Sequence, residues 1–592
     1  MYKPPVADIA FTLRLVGIED LLGDGAFGNL DADTVDAILD EAARFAESEI
    51  APLAAIGDTE GARLVDGEVK LATGWPKLYR DWAAGGWNGL TAPAAFGGQG
   101  LPQMLNAATL EMWNSASMAF GLAPTLTMGA IEALSAHGSD ALKERYLARM
   151  ISGEWTGTMN LTEPQAGSDV GALTSRAERR DDGSYRIFGQ KIFITWGDHD
   201  AAGNIIHLVL ARLADAPAGT RGISLFLVPK YLVGDDGALG ARNDLFCHSL
   251  EHKLGIHGSP TCTMIYGDGR YGAEPGAIGW LVGEENRGLA CMFTMMNNAR
   301  LAVGMQGVGI CEAATQKAVA YARERRQGRS PGSSGPSMSP IVNHPDVMRM
   351  LTTMRALTEG SRAIAYACAH AIDRAHGAAD RQHWQERAAL LTPIAKAFST
   401  DCGVEVASLG IQVHGGMGFI EETGAARLWR DARIAPIYEG TNGIQAIDLV
   451  TRKLPLSDGA HVRGLIAEIR AVISELGAAQ AGRFASGAER LEAAVNDLEA
   501  TTEWLLLAQS EGRTAEVLAG ATAYLRLFGL VLTGFYLARA GILPRMDSIG
   551  ERRIELYLFV AHNTLAESAA LRDRVVFGAA SLSAAGAALE ET

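Results

Sequence analysis

The sequence predicts a multidomain α+β protein. It has an N-terminal α-helical domain (1–155), a central antiparallel β-barrel or sandwich (156–284), a C-terminal four-helix bundle (285–455) and an additional helical C-terminal domain (456–592). Three observations predict this. Apolar residues recur at helical spacing over much of the chain, short β-type runs are confined to one stretch beginning near Thr156, and 592 residues exceed what a single core holds.

In the N-terminal region Val35, Ile38, Leu39, Ala42, Phe45 and Ile50 fall at helical spacing. Further helical patterning over 103–120 and 126–151 makes this whole region all-helical in expectation. The β-type runs follow at 186–188, 191–195, 205–210 and 223–228, separated by Gly and Asp turns that suit a small antiparallel barrel or sandwich. Helical patterning resumes near 286 and reaches Gln327. A linker rich in Gly, Ser and Pro, 328–342, is expected to be a mobile loop. Segments 344–376, 384–413 and 441–453 complete the bundle. No lysine occurs beyond Lys453, Leu456-Ser457-Asp458-Gly459 marks a boundary, and the Ala-, Leu- and Glu-rich tail carries more acidic than basic residues.

A formal charge of −16 argues against nucleic-acid binding as the main activity, because that affinity comes from clustered Lys and Arg. The six cysteines form no CxxC pair and no metal-ligand spacing, which suits a reducing compartment and predicts no metal site. The apolar segment after Met1-Tyr2-Lys3-Pro4-Pro5 is broken by Asp8, Arg14 and Glu19, so no signal or transit peptide is expected. No uncharged apolar run reaches the roughly eighteen residues that span a bilayer. A soluble cytoplasmic protein is expected.

Glu439, in Ile437-Tyr438-Glu439-Gly440-Thr441-Asn442-Gly443, leaves an apolar segment at a turn. It can serve as a base, or as a carboxylate at the N-terminus of the helix that begins near Thr441. Four other stretches carry candidate chemistry. The turn 159–169, Met-Asn-Leu-Thr-Glu-Pro-Gln-Ala-Gly-Ser-Asp, offers hydroxyls and backbone N–H groups, as a ligand cradle or an ordinary Pro-Gly turn. In Lys191-Ile192-Phe193-Ile194-Thr195, strand alternation puts Phe193 and Thr195 on one face, to meet a planar ligand or to pack a core. Gln412-Val413-His414-Gly415-Gly416 reads as a close backbone approach to a ligand or as a helix end, with His414 packing. Arg300, on an otherwise apolar helix, requires an anionic partner, either a ligand phosphate or an interdomain carboxylate.

These stretches, with the order helix, sheet, helix, resemble the acyl-CoA dehydrogenase flavoproteins over residues 35–450. The resemblance implies FAD as cofactor. It implies isoalloxazine contacts from Met159, Leu161, Thr162, Gly167, Ser168, Phe193 and Thr195, where Phe193 replaces the more usual Trp. Arg325, Gln412, Gly415 and Gly416 are implied to hold the adenosine diphosphate part of FAD from a neighbouring subunit, with Thr441 and Asn442 as further cofactor contacts. Glu439 is the implied catalytic base, and Ser168, Asn297, Arg300 and Gly440 are implied substrate contacts. A minority of the family carries its base immediately before the arginine matching Arg300; Ala299 stands there and cannot accept a proton. The implied reaction is α,β-dehydrogenation of a fatty acyl-CoA to a trans-2-enoyl-CoA, with electrons passed to electron-transferring flavoprotein. An acyl-CoA oxidase shares the base, and a dehydrogenase-like DNA-binding protein would need a basic C-terminal face. The opening 2–11, the stretch 252–262 and the acidic tail resemble the long bacterial branch, which includes 3-(methylthio)propanoyl-CoA dehydrogenases and implies a homodimer. His257 stands where that stretch usually carries Arg.

Overall fold

The computed structural model describes the chain apart from residues 1, 24, 29, 273, 333–336, 378–379, 480–483, 544–547 and 590–592. Helices α1 (Val6–Val16), α2 (Ala32–Phe45) and α3 (Ala51–Glu60) precede a hairpin of β1 (Arg63–Val65) and β2 (Glu68–Lys70). The hairpin corrects the all-helical expectation for this region. Asp66 and Gly67 both take left-handed φ, 51° and 82°, as a two-residue hairpin turn requires. Helices α4 (Trp75–Ala84), α5 (Gln103–His137) and α6 (Asp140–Ile151) follow, with a kink in α5 at Ser117.

The β region contains β3 (Trp155–Asn160), β4 (Arg176–Arg179), β5 (Tyr185–Thr195), β6 (Asn204–Leu213), β7 (Ile223–Pro229), β8 (Tyr231–Val233), β9 (Leu239–Arg242), β10 (Leu245–Leu250), β11 (Thr261–Tyr266) and β12 (Ala277–Val282). Its main sheet runs β10-β11-β5-β12-β7-β6-β3, with β4 beside β5 and β6. Pairing is mostly antiparallel, as expected, but β3 and β4 each run parallel to β6. Alternate residues of the central strands enter different apolar clusters. Leu208, Leu210, Leu225 and Leu227 join one, and Val209, Ala211, Phe226 and Val228 the other. Burial on both faces explains why β6 and β7 read as continuous apolar runs.

The remaining chain is helical: α7 (Gly288–Glu324), α8 (Pro345–Arg374), α9 (Arg381–His414), α10 (Ala425–Ala432), α11 (Asn442–Asp448), α12 (Ala460–Ala479), α13 (Ala485–Ser510), α14 (Thr514–Arg539), α15 (Ser548–Phe559) and α16 (Ser568–Gly586). Part of the expected mobile linker, 333–336, lies outside the described residues. Its described flanks are closed on each other by Gln327 N to Ser339 O at 3.0 Å and Ser339 N to Gly328 O at 2.9 Å.

The chain folds into two compact units, one of residues 44–102 and 116–299, the other of 2–43, 103–115 and 300–592. In the second, α7 and α9 meet backbone to backbone. A Cβ on Gly304 would lie 2.6 Å from Ala395 O, and one on Gly307 would lie 2.3 Å from Ser399 O. The tail also packs on α9 through a glycine, here against a side chain: a Cβ on Gly529 of α14 would strike the Phe398 ring at 2.2 Å.

A buried charge network ties this unit together. Arg362 of α8 donates to Glu111 of α5 (2.6 Å), Glu312 of α7 (2.7 Å) and Glu359 (2.8 Å). Arg355 joins Glu312 at 2.8 Å, and Arg553 of α15 reaches Glu359 at 2.6 Å. Arg553 also donates to Thr12 Oγ1 of α1 at 2.7 Å. The three guanidiniums match the three carboxylates, so the site is electrically balanced.

Among the described residues all six cysteines are unpaired and buried, and no group of metal-ligating side chains occurs. Two helices, Gln103–His137 and Thr514–Ile542, are long and apolar enough to cross a bilayer. Their most apolar windows are 89% and 72% buried inside the protein, so core packing accounts for their composition.

Arg362→Met leaves Glu111, Glu312 and Glu359 short of their shared cation, and is expected to cost about 3–5 kcal/mol of stability. The check is a fall in urea midpoint and Tm relative to an exposed control such as Arg349→Met.

Candidate active site

In the second unit the chain after α10 makes a turn that carries Glu439. Glu439 takes φ 54° and Gly440 φ 83°, two successive left-handed residues. This conformation costs a non-glycine residue roughly 1–3 kcal/mol and needs outside support. The support comes from Lys396 of α9. Its ammonium, fully buried, donates to Ala435 O (2.9 Å), Gly440 O (2.9 Å) and Asn442 Oδ1 (2.8 Å). Pro436 O accepts from Asn442 N at 2.9 Å, which closes the turn. The N-cap of α11 is Thr441, whose Oγ1 accepts from Ile444 N at 3.2 Å. Capping therefore does not consume the Glu439 carboxylate.

Burial pushes the Glu439 carboxyl above the usual carboxylate range, while Lys396 and Arg300 pull it back. Arg300 lies 3.7 Å from Asp448 of α11, a carboxylate of its own unit rather than the expected interdomain one. Asp448 also accepts from Arg452 at 2.5 Å. Beside Glu439, Tyr438 OH donates to Gln306 Oε1 of α7.

In the first unit Phe193 is 58% exposed and sits at φ 61°. A bulge in β5, where pairing with β11 shifts between Cys262 and Met264, interrupts the strand period at 192–193. The alternation argument linking Phe193 to Thr195 therefore fails locally, and the bulge itself presents the ring. The turn 161–169 is locked to the same strand. Glu163 is buried and accepts from Lys191 Nζ (2.8 Å), Thr174 N (2.7 Å), Thr174 Oγ1 (2.8 Å) and Ser175 N (3.0 Å). Burial raises its pKa, but the Lys191 ammonium and these hydrogen bonds outweigh that and hold it at about 2. Burial lowers the Lys191 ammonium to about 8. Lys191 Nζ also donates to Leu161 O at 3.0 Å, and Ile192 N donates to Thr162 O at 2.9 Å.

The predicted site residues fall into these two groups. Met159, Leu161, Thr162, Gly167, Ser168, Phe193 and Thr195 gather on β3, β5 and the turn between them, with Gly167 and Ser168 exposed. A Cβ on Gly167 would meet nothing within 4 Å, so its backbone is open to a ligand. Glu439, Gly440, Arg300, Thr441 and Asn442 gather at the Glu439 turn and its neighbours. The Asn442 amide is committed to protein groups at both ends, Lys396 and Thr400 on the oxygen and Asp401 on the nitrogen. Gln412, Gly415 and Gly416, at the end of α9, and Arg325 after α7 are all exposed. The Asn297 side chain lies outside the described residues. His414 stacks on Tyr321 at 4.4 Å, as a packing residue would, and His257 lies 3.0 Å from Asp58. The sequence reading missed Glu163, Lys191 and Lys396.

These residues fit a flavin dinucleotide. An exposed aromatic ring held in a strained conformation, hydroxyls on a turn with open backbone, and separately an arginine, an amide and two glycines with open space at their α-carbons offer surfaces for a planar ring and for a diphosphate.

Comparison with known proteins agrees. The N-terminal, middle and C-terminal domains of acyl-CoA dehydrogenases match residues 32–154, 158–268 and 286–454, and an acetyl-CoA dehydrogenase C-terminal-like domain matches 465–585. The chain is 49% identical over 547 residues, 91% of each chain, to 3-methylmercaptopropionyl-CoA dehydrogenase of Ruegeria pomeroyi. It is 32% identical, over 95% of each chain, to the broad-specificity linear acyl-CoA dehydrogenase FadE5 of Mycobacterium tuberculosis. An acyl-CoA dehydrogenase from Bacillus anthracis, solved in complex with FAD, shares the fold with a TM-score of 0.74 at 20% identity, covering 93% of this chain and 89% of that one. With a strained, part-buried glutamate on the turn after the bundle and family domains matched along nearly the whole chain, this protein belongs to the acyl-CoA dehydrogenases, FAD-dependent oxidoreductases acting on acyl-CoA thioesters.

Proposed function

We propose that Glu439 is the catalytic base of this dehydrogenase and that its turn is the centre of the chemistry. The observation that carries the reading is a carboxylate in a left-handed turn, desolvated enough to raise its pKa, with two cations beside it. Glu439 removes a proton from Cα of the acyl thioester, and the proton comes to rest on a carboxylate oxygen. The bound FAD supplies the acceptor for the hydride that leaves Cβ. Contact with an apolar acyl chain removes further water from Glu439 and strengthens it as a base. The Glu439 backbone N–H donates to the thioester oxygen, where charge develops as the proton leaves. Arg300 and Lys396 offset the cost of keeping the carboxylate ionised. Phe193, Met159, Leu161, Thr162, Gly167, Ser168 and Thr195 hold the flavin ring. Arg325, Gln412, Gly415 and Gly416 bind the diphosphate of FAD in a neighbouring copy, which makes the working form a homodimer in the cytoplasm. Asn297, Gly440 and Ser168 contact the substrate.

The substrate is a fatty acyl-CoA, and electrons leave to electron-transferring flavoprotein. A second reading, 3-(methylthio)propanoyl-CoA, is favoured by the 49% identity to the Ruegeria enzyme. Flavin bleaching by linear acyl-CoAs and by the methylthio thioester, compared at equal concentration, decides between them. Slow reoxidation of substrate-reduced enzyme in air is expected; rapid reoxidation would mark an oxidase instead.

Glu439→Gln is expected to retain FAD and acyl-CoA binding and to lose roughly 10²–10⁴-fold in kcat, measured by stopped-flow bleaching. Because the base must be ionised, kcat/KM rises with pH through the Glu439 pKa. The midpoint of that limb is expected above 4.5, the ordinary value, in a pH profile with acyl-CoA below saturation. Glu163→Gln removes the charge that ties the turn 161–169 to Lys191. It is expected to weaken FAD retention about tenfold or more, read as the FAD dissociation constant by fluorescence.

A further inference from the structure

From its place across the turn, we infer that Lys396 is a positioning residue for this reaction: one buried ammonium staples the two sides of the turn around Glu439 and holds the base in its reactive orientation. The inference rests on Glu439 being the base.

Three features of the structure carry it. First, Lys396 donates to Ala435 O and Gly440 O, carbonyls on either side of Glu439, and its third N–H goes to Asn442 Oδ1. An ammonium has three donors, and all are used inside this one turn. Second, the turn holds two consecutive left-handed residues, and a non-glycine residue keeps that conformation only when its surroundings fix it. Apart from the Asn442 N to Pro436 O bond that closes the turn at 2.9 Å, the bonds across Glu439 are long: Gln445 Nε2 reaches Glu439 O and Gly440 O only at 3.4 Å. Third, the position of Lys396 is itself fixed. Gly304 of α7 lies against Ala395 and Lys396, where a Cβ would be 3.5 Å from the Lys396 Cα, and Thr400 Oγ1 donates to Lys396 O at 2.8 Å.

Charge works in the same direction as geometry. The ionised groups acting on Glu439 are Lys396 of α9 and Arg300 of α7. Those acting on Lys396 are Glu439, Asp401 of α9 and Arg300. Asp401 is in turn influenced by Arg526 of α14 and Arg433, and Arg300 by Asp448 and Arg452. Burial lowers the Lys396 ammonium to about 8, with Glu439 opposing the fall. Loss of the ammonium leaves Glu439 with Arg300 as its remaining cation, so its pKa rises.

The test compares Lys396→Met, which removes donors and charge, with Lys396→Gln, which keeps two N–H donors and removes charge. Each is assayed as FAD-loaded full-length enzyme by flavin bleaching with octanoyl-CoA and 3-(methylthio)propanoyl-CoA across pH. Lys396→Met is expected to lower kcat roughly 10- to 100-fold, with Lys396→Gln recovering part of the loss. Both variants are expected to move the acid limb of kcat/KM upward by on the order of one pH unit. A Lys396→Met enzyme with kcat within twofold of wild type and an unmoved acid limb overturns the inference. So does failure of both variants to retain FAD and a cooperative melt, which assigns Lys396 a purely structural role. Glu439→Gln in the same series separates the two ideas. Turnover retained there removes the base assignment, whereas an inert Glu439→Gln beside a wild-type Lys396→Met removes the Lys396 inference alone.

Discussion

The second unit depends on one desolvated cation. Arg362 lies at zero exposure with carboxylates from α5, α7 and α8 around it, and a guanidinium cannot shed its proton to escape the cost of burial. Each helix is therefore locked in register by a hydrogen bond it cannot exchange for water. Glu312 lies roughly three turns along α7 from Arg300, so fixing the helix at Glu312 also fixes it at Arg300. Arg553 extends the same network to α15 and, through Thr12, to α1. The C-terminal extension is wired into the interior of the bundle by charge as well as by the apolar packing of α14.

The Glu439 turn sits downstream of that frame. Desolvation makes Glu439 a stronger base but disfavours its ionised form, and the two nearby cations restore the balance. The carboxyl is thus raised by burial and held back by neighbouring charge. In the first unit the solution is the reverse. Glu163 is surrounded by donors and held at about 2, which makes it useless as a base and effective as a fixed anchor. Two glutamates in turns thus acquire opposite pKa shifts from the groups around them.

Much of this was legible in the sequence. The alternation of helical and β-type patterning located the sheet, and the apolar runs of β6 and β7 marked its interior. Glu439 stood out as a carboxylate at the end of an apolar segment. Other features were legible and passed over. Asp66-Gly67 is a strong hairpin signal, and Ile394-Ala395-Lys396-Ala397-Phe398 places a lysine amid apolar residues, where its charge demands partners. The parallel pairings of β6 were not legible, because register between distant strands is set by packing. The bulge at Phe193 was hidden for a related reason: one inserted residue breaks the two-residue period without changing composition. Glu163 was read as part of a turn valued for its hydroxyls, and only the fold shows that its partners are Lys191, Thr174 and Ser175.

The glycines where α7 meets α9 separate two kinds of evolutionary change. With backbone against backbone at Gly304 and Gly307, the spacing of the helices that bear Arg300 and Lys396 is set by main-chain contact rather than by side-chain rotamers. Side-chain substitutions elsewhere along these helices leave that spacing untouched. The separation of Arg300 and Lys396 is in this sense insulated from side-chain change, so a lineage can vary much of both helices without disturbing the two cations that act on Glu439.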